Sequence, residues 1–146
     1  NPIVYSKDYK FEIGKSITLR DGKDITIFCA GAMVKQCLEA ARTLEEKKLY
    51  AKIVNMHTIK PIDKKAVEDS CNSKLIVSVE EHNIVGGLGS AIAEYKAKLS
   101  KTPKQLFLGV KDIYSRGGTY KFLQEKHRLT SEKIVEDIIL ELKKSK

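Results

Sequence analysis

Four short, β-rich apolar runs alternate with amphipathic stretches along this chain, and that alternation leaves few folds open to it. The first run, Ile25-Thr26-Ile27-Phe28-Cys29-Ala30, closes on Gly31 and leads into a stretch from Met33 to Lys48 with helical periodicity. Val34, Cys37, Leu38, Ala41 and Leu44 recur there every three or four residues, while Lys35, Glu39, Arg42 and Glu45 take the other side, so one face is core. Ala51 to Met56 reads as the second strand. Pro61-Ile62-Asp63 ends the connection, and Asp63 can cap a helix from about Lys64 to Cys71. Leu75 to Val79 is apolar enough to be buried on both faces, which points to a central parallel strand. A helix from Leu88 to Leu99, then Pro103, then a strand from Gln105 to Val110 complete the alternation. Thr130 reads as the N-cap of a closing helix whose apolar face carries Ile134, Val135, Ile138, Ile139 and Leu142.

Strands alternating with helices of this length require right-handed crossovers. The fold class expected is therefore α/β, an open and mostly parallel sheet with helices on both faces. A chain of 146 residues suffices for one such core. Residues 1–20 read as an arm with one or two short extended segments, Asp21-Gly22 as a turn, and residues 21–146 as the α/β domain.

Charge and composition exclude several classes. The longest apolar stretches, Ile25 to Met33 and Leu75 to Val79, fall far short of the roughly 20 residues of a membrane helix. The net charge of +8 is spread along predicted helix faces among acidic residues. Only Lys143, Lys144 and Lys146 cluster, and lysines in a last helical turn also complement the helix dipole. Neither nucleic acid nor a membrane is expected as a partner. Cys29, Cys37 and Cys71 match neither a disulfide framework nor a zinc pattern, and no secretory signal precedes Asn1. Reduced thiols and a cytoplasmic location are the expectation.

The segment with most chemical promise runs from Glu80-Glu81-His82-Asn83 through Ile84-Val85-Gly86-Gly87-Leu88-Gly89-Ser90-Ala91. It follows a parallel strand and opens a helix, where open α/β sheets place ligands. Gly86, Gly87 and Gly89 form a candidate anion seat, since backbone N–H groups at a helix N-terminus favour negative charge. The alternative is that the glycines serve a tight turn and close packing, with Glu80 and Glu81 capping or facing a neighbouring domain. A nicotinamide fingerprint fits poorly: Ile92 stands where a third glycine is needed, and the first useful glycine lies about six residues past the strand. His57, His82 and His127 lack metal-ligand spacing, so no metal site is expected; His57 and His82 are acid–base candidates or plain capping and interface residues. Ser70 and Ser90 lack a nucleophile elbow, and Cys29 lies in a buried strand. Asp112, Tyr114, Ser115 and Arg116 make a polar loop in which Arg116 could meet an anion or simply face another domain.

The order of Asp21-Gly22-Lys23-Asp24, then Asn55-Met56-His57-Thr58-Ile59-Lys60-Pro61-Ile62-Asp63, then the Glu80 to Ala91 segment resembles the C-terminal domain of transketolases over nearly the whole chain. Asn1 to Tyr5 and Phe11 to Lys15 are similar to the linker entering that domain. Relatives are deoxyxylulose-phosphate synthase and the beta subunit of pyruvate-type dehydrogenases. The resemblance implies transfer of a two-carbon ketol unit between sugar phosphates by an enzyme using thiamine diphosphate and magnesium. It implies that the diphosphate- and pyrimidine-binding domains lie elsewhere, in the same enzyme or in a companion subunit, and that the parent is a homodimer. No catalytic, cofactor-binding or metal-binding residue is carried over, and the chain alone is expected to be inactive and to bind no cofactor.

Overall fold

A computed structural model describes residues 9–144; the linker-like Asn1 to Tyr5 and the tail residue Lys146 lie outside the described residues. Five strands make one sheet: β1 (Ile17–Arg20), β2 (Ile25–Cys29), β3 (Ala51–Asn55), β4 (Leu75–Asn83) and β5 (Gln105–Val110). The helices are α1 (Met33–Glu46), α2 (Lys64–Ser70), α3 (Leu88–Lys96), α4 (Tyr120–Lys126) and α5 (Ser131–Lys144). The strand order is β1-β3-β2-β4-β5, parallel throughout except for β1, which pairs antiparallel with β3. This is the α/β class the alternation predicts.

Strand periodicity divides the core in two. Ile25, Ile27 and Cys29 of β2, with Leu75, Val77 and Val79 of β4, face α1 and α5. Phe28, Val54 and Ile76 face the other way, against Val67 of α2 and Leu88 and Ile92 of α3. Both faces are covered, so β2 is buried at every position.

The caps follow their sequence signals. Asp63 accepts from the Ala66 N–H at 3.2 Å, and Thr130 Oγ1 accepts from the Lys133 N–H at 3.4 Å. Asp63 also accepts from the Ser16 N–H and hydroxyl at 2.7 and 2.9 Å, which ties the segment entering β1 to α2. Burial alone would raise this carboxyl, but those three hydrogen bonds outweigh it and hold Asp63 below its usual range.

Two elements depart from the sequence expectation. Strand β4 runs to Asn83 rather than stopping at Val79, because Asn83 pairs with Val110 across a register irregularity. Helix α4 lies in a stretch to which the periodicity assigns no element: none of its residues is buried, so it carries no apolar stripe toward its own core.

Candidate functional site

The parallel strands bring the carboxyl ends of β2, β3, β4 and β5 to one rim of the sheet. The chain leaves β2 for α1 and β4 for α3, on opposite faces, although these strands are neighbours. That topological switch is where an open α/β sheet ordinarily holds a ligand. What stands there is a carboxylate of the chain itself.

Glu80, only 3% exposed, accepts from the Leu88 N–H at 2.7 Å through one oxygen and from the Gly89 N–H at 2.9 Å through the other. The first N–H groups of α3 therefore already face an anion. The Gly86 N–H donates to Ser90 Oγ at 2.9 Å, and that hydroxyl donates to the Ile84 carbonyl at 3.1 Å. Of the three candidate anion-seat glycines, Gly86 and Gly87 border an open cleft, whereas Gly89 is buried with its N–H engaged. A Cβ on Gly89 would meet Phe107 and Ser78 at 2.5 Å, so close packing is what this position requires. Gly86, at φ +81°, is the left-handed residue of the turn.

Asn83 joins two of the rim loops. Its Nδ2 donates to Asp112 at 2.8 Å, and its Oδ1 accepts from the Val85 N–H at 2.8 Å. The loop 111–119 is exposed throughout and leads into α4. A small pocket of about 220 Å³ lies beneath α4, with Glu81, Tyr120, Ser115 and His127 converging on it. Ser115 Oγ and His127 Nε2 are 2.5 Å apart. Burial, and then the hydrogen bond to the Glu81 carboxylate, push the Tyr120 phenol up to about 12. Sequence reasoning missed this cluster because α4 itself was missed; its signal was Thr119, whose Oγ1 accepts from the Phe122 N–H at 3.3 Å.

The other candidates are dispersed. His57 sits at the end of β3 with its ring 4.7 Å from that of Phe11, and its Nε2 is 3.4 Å from the Glu12 carbonyl. His82 is exposed, as is Arg116. Ser70 is buried and donates to the Val67 carbonyl at 2.6 Å. Cys29 and Cys37 are both buried, and desolvation together with the neighbouring Cys29 pushes the Cys37 thiol well up. Ser70 and Ser90, the two serines weighed as nucleophiles, donate to the Val67 and Ile84 carbonyls rather than to a histidine.

Exposed apolar side chains concentrate at the same rim. Ile59 follows β3, Val85 follows β4, and Ile113 and Tyr114 follow β5; Phe11 packs beside the first of these loops. Tyr114 is fully solvent-exposed at 105%. Among the described residues these side chains remain exposed, and together they make a surface suited to contact with another protein surface.

The described residues offer no evident seat for thiamine diphosphate and magnesium. Among the described residues no three His, Cys, Asp or Glu side chains converge as a metal site, and the α3 N-terminus that could face a diphosphate holds Glu80. No chemical step is assigned to the cofactor on this chain.

Residues 14–134 match the family model for the transketolase C-terminal domain. The chain is 40% identical over 144 residues to a putative transketolase C-terminal section of Methanocaldococcus jannaschii, covering 97% of this chain and 45% of that protein. It is 36% identical over 131 residues to 1-deoxy-D-xylulose-5-phosphate synthase of Dictyoglomus turgidum, covering 89% of this chain and 21% of that protein. A solved structure described as a split-gene transketolase, an inactive β4 tetramer, superposes with a TM-score of 0.87 at 36% identity, covering 97% of this chain and 46% of that one. The chain thus spans less than half the length of each of these proteins.

Proposed function

The chain belongs to the transketolase C-terminal domain family, and from that premise we propose that it is the structural, assembly-forming section of a transketolase. In this reading a two-carbon ketol unit passes between sugar phosphates in a dimeric, thiamine-diphosphate-dependent parent. The diphosphate- and pyrimidine-binding domains that hold the cofactor and the reacting sugars lie outside this chain, and the chain alone is catalytically silent.

The observation that carries the proposal is the state of the carboxyl-end rim. Where a ligand would ordinarily sit, Glu80 fills the α3 N-terminus, and the surrounding loops present Ile59, Val85, Ile113 and Tyr114 to solvent. A rim whose switch-point seat is filled by its own carboxylate, and whose loops are edged with apolar side chains, is built to dock against protein. The companion suits the split-gene neighbour, and the family model's C-terminal designation suits a partner that supplies the remaining domains.

The test is a ketol-transfer assay with added thiamine diphosphate and magnesium, run on this chain alone and with its cofactor-binding companion. Activity only when the companion is present is expected; ketol transfer by the chain alone overturns the proposal. A second reading, the C-terminal part of a deoxyxylulose-phosphate synthase, is favoured by the similarity to that enzyme. Formation of deoxyxylulose 5-phosphate in place of ketol transfer selects it.

A further inference from the structure

A cleft of about 420 Å³ opens between the loop after β3 and helix α3, away from the Ser115–His127 pocket, and three lysines line it: Lys60, Lys64 and Lys98. They come from a loop, from the first residue of α2 and from the residues just past α3. Among the described residues none of the three makes an ion pair, although Lys65, next to Lys64, pairs with Asp69 at 3.2 Å. Glu94 is the one acid lining the cleft, and the Glu68 carboxylate, which accepts from the Tyr95 hydroxyl, stands beside that wall, so the three lysines still outnumber the acids. Like charges gathered around one concavity repel, and an anion among them relieves that repulsion.

We propose that this cleft binds a phosphate-bearing small molecule through Lys60, Lys64 and Lys98. A phosphate dianion has the charge and the several acceptor oxygens needed to meet three point-like ammonium donors at once. The volume falls in the range of small-molecule pockets, about 300–1,000 Å³. Ile59 and Ile62 give an apolar floor, and Tyr95, whose ring centroid lies 6.0 Å from Lys64 Nζ, gives a flat wall for an organic body. The α3 N-terminus is not the seat, because Glu80 holds the Leu88 and Gly89 N–H groups; of the glycines, only Gly86 and Gly87 border the cleft. This site does not rest on the transketolase assignment; it adjoins the docking rim, with which it shares Ile59, and it gives the chain a ligand contact of its own.

The experiment is an amide-detected NMR titration of the chain with inorganic pyrophosphate at fixed, low ionic strength. Saturable shifts centred on Gly87, Ser90, Ala91 and Lys98 are expected, with binding weakened at least about tenfold in the K64M/K98M variant. The K47M/K48M variant, altered in the turn after α1, keeps the wild-type affinity. Non-saturating shifts spread over every lysine-bearing surface overturn the proposal, as does an unchanged affinity in K64M/K98M. Both variants alter exposed side chains, so retained amide spectra confirm that folding is not the variable.

Discussion

Gly87 is the space that Glu80 needs: a Cβ at Gly87 would stand 1.8 Å from Glu80 Oε2 and 2.8 Å from the Asn83 carbonyl oxygen. With φ at −93°, Gly87 is not a glycine for its backbone angle. It is a glycine because a buried carboxylate passes over it to reach the next two N–H groups. The glycine turn and the glutamate are one device, which closes the usual ligand position of the sheet from within.

Gly87→Ala is therefore expected to displace the Glu80 carboxylate and free both α3 N–H groups. The loss of two charge-assisted hydrogen bonds in a buried setting should cost about 2–4 kcal/mol. Gly117, with nothing within 4 Å of its position, is the control, and Gly117→Ala should change stability by less than about 0.5 kcal/mol. Urea denaturation of the two variants checks the contrast, and equal midpoints would refute it.

Glu80→Ala should destabilise by a comparable amount while leaving a cavity faced by two unsatisfied donors. Formate at tens of millimolar should then raise the thermal midpoint of this variant more than that of the wild type, because a free carboxylate can enter the vacated seat. An identical formate response in both proteins would mean that the Leu88 and Gly89 N–H groups do not define an anion seat.

Asp63 sets an acid limb. Its carboxyl is held below the usual range in the folded chain, so its contribution is present above the unfolded value near 3.9 and fades as pH falls through the folded value. Asp63→Ala should cost about 1–2 kcal/mol at pH 7, through loss of the α2 cap and of the two Ser16 bonds. The difference from wild type should shrink steadily below about pH 4. Denaturation midpoints from pH 7 to pH 2.5 check the sign; a constant difference would show that the carboxylate charge plays no part.

The rim predicts a separation of folding from assembly. Tyr114→Asp and Ile113→Asp alter exposed side chains of an exposed loop, so the chain's own stability should move by less than about 0.5 kcal/mol. Association with a cofactor-binding companion, followed by size-exclusion chromatography, should weaken markedly, since burying a carboxylate without a partner is costly. Unchanged association would remove the loop after β5 from the docking surface.

Much of the fold was legible in the residues because its signals are local. The periodic stripe from Val34 to Leu44 faces the core. The caps at Asp63 and Thr130 act across three residues, a distance the sequence states directly. What escaped was held by partners far along the chain. Asn83 is polar and reads as loop, yet pairing with Val110 makes it strand. Tyr120 to Lys126 forms a helix without a buried face, so the apolar periodicity that reveals α1 is absent. Serine and histidine spacing could not show that Ser115 and His127 meet, because the turn of loop 111–119 into α4 brings them together.

The sequence by itself determined the alternation of strands and helices, the helix caps and the carboxyl-end position of the glycine turn. Each rests on side-chain periodicity or on bonds reaching only a few residues. Tertiary structure decided the order β1-β3-β2-β4-β5, the capture of the α3 N-terminus by Glu80 and the meeting of Lys60, Lys64 and Lys98 around one cleft. Those depend on how crossovers cover the two faces of the sheet, and residues nearly forty positions apart become neighbours only once packing has fixed that path.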